Sequence, residues 1–373
     1  METEMEMDLD KMSHLPEHIS ERILLCLPVK DAVRTSALSR QWRYRWTTLP
    51  IVKYYDNVLI KNDLVRAVDH VLLLHTGQIQ TFELYLERTP CFGEIDGWIL
   101  FLSRNCVRKI ILEFQNCDPY KLPSHLFVCD LDYLEEDVLE NLISNCPLLN
   151  NLILSNISGC SCLNICAPDL RDLNIISKAQ DICLTGMTKL ASVSISLESL
   201  PGDKKIDLIE FLNSLPAIEM LWIKSHFLKY MVMDYFPDIT PLVDVPLSYL
   251  SVRVDFRDVK EISTTLCLFK CFPHVKAVEL LAHKTKKCCE PNTSNWKAMC
   301  LMNFTFNQLK HVIFTGFYGF KSELDIINLI LSNAPVLETM TIKSRSPDEG
   351  LKASKELLKF KRASAQLQIF LDP

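Results

Sequence analysis

From about residue 70 onward the chain repeats one pattern: a leucine, two or three polar residues, Cys or Ala with Pro, then an L-x-x-L-x-L tail. The clearest copies are "LISNCPLLNNLIL" at 142–154, "LNSLPAIEMLWI" at 212–223 and "LSNAPVLETMTI" at 331–342, with a looser copy, "FKCFPHVKAVEL", at 269–280. Shorter versions keep only the tail: "LRDLNI" at 170–175, "LASVSI" at 190–195, "LSYLSV" at 247–252 and "LKHVIF" at 309–314. The last apolar position of each tail falls at Leu84, Leu112, Leu154, Ile175, Ile195, Ile223, Val252, Leu280, Phe314, Ile342 and Ile369. Successive spacings are 28, 42, 21, 20, 28, 29, 28, 34, 28 and 27 residues. Such a period describes one small unit that cannot bury its apolar side alone and must stack on its neighbours.

Periods of this length are those of leucine-rich repeats, each a short strand with a helical or irregular return. The x-L-x-L alternation predicts a strand with one buried face. Upstream segments such as "DVLENLISNC" at 137–146 have helical spacing and an acidic start that suits the helix dipole. Units with such a helix run near 28 residues and those without one near 20, so the array is irregular. The expected fold is an α/β solenoid, with one parallel ladder from about Phe82 to Ile369 on its inner face and helices on its outer face. The 42-residue step from Leu112 to Leu154 is too long for one unit. Residues 120–136 are expected to hold a truncated copy, which makes 113–140 the weakest stretch of the array.

Charge sets the N-terminus apart. Residues 1–10 sum to −5 and residues 11–50 to +4, in a chain of net charge −6. The acidic tail lacks aromatic and β-branched residues apart from Thr3, and disorder is expected there. Residues 11–50 read as a small helical unit. Pro16 suits a first helical turn, Ile19, Ile23, Leu24 and Leu27 form an apolar stripe, and Pro28 ends the helix. Asp31 is expected to cap a second helix with Val33, Ala37, Leu38 and Trp42 as its apolar positions. Forty residues bury too little surface to stand alone. The segment therefore either caps the solenoid or offers its apolar face to a partner.

The residues of this segment resemble an F-box: Leu15-Pro16-x-x-Ile19, Ile23-Leu24-x-x-Leu27-Pro28, Asp31 to Ser36, Leu38-Ser39-Arg40-x-Trp42-Arg43 and Trp46. The stretch 306–342, with "ELLKFKRASAQLQI" at 356–369 as its tail, resembles the FBD domain that accompanies F-boxes and leucine-rich repeats in a large plant family. The order also agrees, with a disordered tail at 1–10, F-box at 11–50, repeats at 51–300 and an FBD at 301–373 continuing the solenoid. The resemblance implies a substrate-receptor subunit of an SCF-type ubiquitin ligase. Its F-box would dock on a Skp-type adaptor, and through it on cullin and RING subunits, while the repeats and FBD hold a target protein. Carried over by position, adaptor contacts come from Leu15, Pro16, Ile19, Ile23, Leu24, Leu27, Pro28 and Val33. Trp42 and Trp46 either touch the adaptor or seal the F-box against the first repeat.

Other functions find little material. The chain has only nine glycines and no G-x-G-x-x-G, G-K-[ST], G-x-S-x-G or H-E-x-x-H motif, so no cofactor and no enzymatic activity are expected. Gly316 and Gly319 read as turn residues. The fifteen cysteines include no C-x-x-C pair, and Cys160, Cys162 and Cys166 lack a metal-ligand spacing, so reduced thiols filling a core are expected. The acidic run Asp130, Asp132, Glu135, Glu136 and Asp137 reads as a solvated helix start, and "HKTKK" at 283–287 as a solvated loop. Acidic balance argues against nucleic acid. No apolar run is long enough for a membrane span, so a soluble protein of the cytoplasm or nucleus is expected. A repeat scaffold that recruits no ligase is the alternative reading.

Overall fold

The structure, a computed structural model, describes residues 15–55, 61–87, 92–103, 105, 107–115, 120–121, 148–158, 162–177, 181–197, 206–225, 227–232, 241–283, 305–346, 350 and 354–372. The chain divides into two compact units, residues 1–159 and 160–373. The acidic tail, the helical reading of 137–146, the acidic run and most of the stretch 113–140 lie outside the described residues.

In the first unit, α1 (Glu17–Leu25), α2 (Val29–Arg34) and two 3-10 turns (Thr35–Ala37 and Arg45–Thr48) precede a parallel ladder. Its strands are β1 (Ile51–Tyr55), β2 (Thr81–Glu87), β3 (Lys109–Gln115) and β5 (Asn151–Ser158), while β4 (Tyr120–Lys121) pairs with the end of β5. The helices α3 (Lys61–Leu74) and α4 (Phe92–Ser103) supply the returns. The register aligns Tyr54, Leu84, Leu112 and Leu154 in one buried row. The ladder thus starts at Ile51, one strand before the expected Phe82. A tyrosine takes the leucine position there, because its hydroxyl reaches the Ala67 carbonyl at 3.0 Å and leaves no buried polar group unpaired.

In the second unit the ladder runs through β7 (Asp172–Ser177), β9 (Ser192–Leu197), β11 (Met220–Ser225), β13 (Tyr249–Val254), β14 (Ala277–Ala282), β15 (His311–Phe317), β16 (Thr339–Ser344) and β17 (Gln368–Asp372). Every pairing is parallel, and Ile195, Ile223, Val252, Leu280, Phe314 and Ile342 fall in one buried row. The short spacings have a structural cause. There β6 (Cys162–Cys166) and β8 (Asp181–Thr185), a parallel pair of their own, replace the return helix. Longer units carry α5 (Leu208–Asn213), α7 (Val259–Cys271) and α8 (Lys321–Asn333), with α6 (Phe227–Tyr230) and a small pair, β10 (Ile206–Asp207) and β12 (Met231–Val232), between them.

Three return helices of the second unit, α5, α7 and α8, are fixed by a carboxylate at or near their start. Asp207 accepts from the Ile209 and Glu210 amides at 2.8 and 2.9 Å, and Asp258 from Lys260 at 2.9 Å. Glu323, inside the first turn of α8, reaches back to the amides of Tyr318 and Phe320 at 3.0 and 2.9 Å. Gly319, in the loop between β15 and α8, has φ of +81°, whereas Gly316, expected as a turn residue, lies inside β15 with φ of +79°. Gly316 sits at a register shift in β15, and a Cβ there would lie 2.8 Å from the Ala282 carbonyl oxygen.

Three expectations need correction. Ile369 aligns with Met340, and Leu371 takes the place beside Ile342. "QIFLD" offers apolar residues at both positions, and Gln368 N bonding to Glu338 O at 2.9 Å selects the register. His283 is buried rather than solvated, held 3.7 Å from the buried carboxylate of Glu261, whereas 284–287 lie outside the described residues. Finally, Asp31 lies within α2 and pairs with Arg34 at 3.1 Å. The position before α2 belongs to Pro28, whose carbonyl accepts from Asp31 and Ala32.

Candidate adaptor-binding surface

The two prolines at the starts of α1 and α2 orient this N-terminal segment. The Pro16 carbonyl accepts from Ile19 and Ser20 at 3.0 and 3.1 Å, and Pro28 repeats the arrangement for α2. The second helix ends at Arg34, short of the expected Trp42. Ser36 stops it: its hydroxyl donates to the Arg43 carbonyl at 2.8 Å and accepts from Trp46 Nε1 at 3.0 Å, which folds residues 38–44 back as turns.

That fold-back decides the role of both tryptophans. Trp42 and Trp46 are buried, with the Arg45 guanidinium 5.5 Å from the Trp42 ring centre and His70 of α3 stacked 6.2 Å from Trp46. Arg45 also donates to the buried hydroxyl of Ser20 on α1. The segment is tied to the first repeat by its backbone as well. The Thr47 carbonyl accepts from Thr76 and Gly77, and the Pro50 carbonyl from Gln80 and Thr81. A Cβ on Gly77 would stand 2.8 Å from Thr48 Cα, so this close approach needs a glycine.

The apolar residues on the other side are left over. Pro16 and Pro28 are exposed, and Leu15, Ile19, Ile23, Leu27 and Val33 are partly exposed. Leu24 differs: at 1% exposure it belongs to the segment's own core and has no surface to offer in this state. Leu38 and Tyr44, at 57% and 67%, are exposed apolar residues that helical periodicity assigned wrongly or passed over. The alternation Trp42-Arg43-Tyr44-Arg45-Trp46 would group Tyr44 with the tryptophans, so no local pattern signals its exposure. A hollow of about 460 Å³ lies between α1 and this turn, lined by Glu17, Glu21, Leu24, Tyr44 and Arg45 among others. Capping and display are therefore two faces of one segment.

A helical module capping a leucine-rich parallel ladder, with apolar residues left partly exposed, defines a leucine-rich repeat protein with an N-terminal helical cap. Comparison with known families agrees. The F-box domain matches residues 12–54, and the FBD matches residues 306–342. The repeats described as those of FBD-associated F-box protein At5g56370 match residues 124–280. The chain is 30% identical over 408 positions to F-box/FBD/LRR-repeat protein At1g13570 of Arabidopsis thaliana, covering 96% of this chain and 98% of the relative. It is 21% identical to Probable FBD-associated F-box protein At1g32375 of the same plant, covering 98% and all of the two chains. F-box/LRR-repeat protein At3g26922, also from that plant, is 25% identical over 53% of this chain and 77% of its own length. The chain belongs to the F-box/FBD/LRR-repeat family. No described helix is long and apolar enough to cross a membrane.

Proposed function

We propose that this protein is the substrate receptor of an SCF-type cullin-RING ubiquitin ligase. In this reading residues 11–50 dock on a Skp-type adaptor, which links them to cullin and RING subunits. The repeats over 51–300 and the FBD over 301–373 hold a target protein in the cytoplasm or nucleus. The receptor brings two reactants together and contributes no reacting group of its own.

The observation that carries the reading is the division of apolar residues in the F-box. Leu24, Trp42 and Trp46 fill its core, while Leu15, Pro16, Ile19, Ile23, Leu27, Pro28 and Val33, on α1, α2 and the residues flanking them, keep exposed area. Those seven are the proposed adaptor contacts. The test is a pull-down of a Skp-type adaptor and cullin with the wild-type chain and with a Leu15→Ala, Pro16→Ala double variant. Capture by the wild type and loss by the folded double variant support the receptor. Failure of the wild-type chain to capture adaptor overturns it in favour of a scaffold outside any ligase.

A further inference from the structure

Each unit carries a glutamate in the corresponding row of its ladder, and among the described residues only one of the two has a cation within ion-pair distance. In the first unit Glu83 of β2 alternates with the core residues Phe82 and Leu84 and so faces away from the helices. Its carboxylate lies 3.2 Å from Lys53 Nζ on β1 and 3.4 Å from Lys109 Nζ on β3. Tyr85 donates to it at 3.4 Å and stacks on Tyr55 at 4.8 Å, with 7° between the rings. A carboxylate beside paired aromatic rings on this face thus takes lysine ammonium groups.

Glu279 of β14, half-buried, also lies beside paired aromatic rings, here from the neighbouring strands and without the lysines. Tyr249 and Ser251 donate to its Oε2 at 2.7 and 2.8 Å, and Trp222 lies against Tyr249 with ring centres 5.3 Å apart. Burial, then the hydrogen bond and charge of Glu279, push the Tyr249 hydroxyl up to about 12. The register shows why the cation is missing. Ser251 stands where Lys53 stands beside Glu83, and His311, engaged with Thr339 at 3.0 Å, stands where Lys109 does. Among the described residues no Lys, Arg or His lies within ion-pair distance of Glu279. Met220, half-exposed in the row of Tyr249, extends the apolar floor.

We infer that Met220, Trp222, Tyr249 and Glu279 form a subsite for one lysine or arginine side chain of the target protein. The stem of that side chain lies along Met220 and Trp222, and its cationic head meets the aromatic face and the free Oε1 of Glu279. An open sheet face carrying Trp, Tyr and Met has the composition of a protein-binding hot spot rather than of a small-ion site. The inference rests on the receptor reading, since it names what the repeats hold.

The experiment selects random linear peptides displayed on phage against the full chain, alone and with adaptor. The expected peptides share one basic position. Replacing that base by norleucine weakens binding about tenfold or more. Glu279→Gln, which keeps an acceptor for Tyr249 and Ser251, does the same, and so does His311→Lys, which fills the site in cis. Circular dichroism and unfolding midpoints check that both variants fold. Peptides without a shared base, peptides bound equally by Glu279→Gln, or no selectable peptide overturn the subsite. Adaptor capture reports separately: its failure with base-dependent peptide binding intact overturns the receptor and leaves the subsite standing.

Discussion

Trp46 and Ser36 are joined side chain to side chain, the indole N–H donating to the serine hydroxyl at 3.0 Å, ten residues apart in the chain. Through this bond one buried ring holds the fold-back of the F-box and seals it on the first repeat.

Trp46→Ala removes a large buried ring and should destabilise the first unit by about 3–5 kcal/mol. Ser36→Ala leaves the ring in place but strands its N–H, at a cost of about 1–3 kcal/mol. Chemical denaturation followed by tryptophan fluorescence measures both. Equal stability of Ser36→Ala and wild type would show that the bond holds nothing.

Exposure separates two leucines of one motif, Leu24 and Leu15. Leu24→Ala opens a cavity in the F-box core and should lower stability by about 2–5 kcal/mol. The Leu15→Ala, Pro16→Ala pair should leave stability nearly unchanged while weakening adaptor binding by about 2–4 kcal/mol, roughly 30- to 1,000-fold. Calorimetric titration with purified adaptor, alongside denaturation, distinguishes the two effects.

The repeat ladder predicts a severe effect at Leu221, which is fully buried and aligned with Val193 and Leu250. Leu221→Asp places a carboxylate between two neighbouring units, and burying it costs several kcal/mol unless it takes up a proton. The variant should be insoluble or lose its cooperative transition in thermal melts.

Two glycines should respond in opposite directions to alanine. Gly97 lies within α4 with nothing near its missing Cβ, so Gly97→Ala should stabilise by about 0.5–1 kcal/mol. Gly316→Ala meets the Ala282 carbonyl and a left-handed φ, and should destabilise by at least about 1 kcal/mol. Melting temperatures of the two variants should move apart.

Alkaline pH should unfold the second unit through groups that folding keeps protonated. Burial pushes the Cys271 thiol up to about 12 and the Cys267 thiol up in the same direction, and Tyr249 also rises to about 12. Because the folded values exceed the unfolded ones, this stabilisation is full below pH ~8.5 for the thiols and ~10 for tyrosine. It is lost as pH climbs toward the folded values. Denaturant midpoints should fall over that window. At pH 8, exposed Cys26 should react with iodoacetamide while Cys267 and Cys271 stay unmodified until the chain unfolds, as peptide mapping would show.

The sequence by itself determined the register of the repeats from Leu84 to Ile342, because a strand's alternation has a period of two and a one-residue slip would turn Leu84, Leu112, Val252 or Leu280 out of the core. The two-residue choice between Ile369 and Leu371 in the last strand was left to the backbone. It also determined the F-box, whose prolines, leucines and tryptophans form an ordered local motif. Only the tertiary structure decided which of those residues remain free. Leu24 and Ile23 are adjacent and chemically alike, yet the fold-back through Ser36, Trp42 and Arg45 buries the first and leaves the second partly exposed. Periodicity could not see that turn, since it is closed by side-chain hydrogen bonds rather than by an apolar pattern. The same limit hid the place of Glu279. Tyr249, Ser251 and Glu279 come together through pairing between strands some 30 residues apart, and such a contact has no signature within either strand.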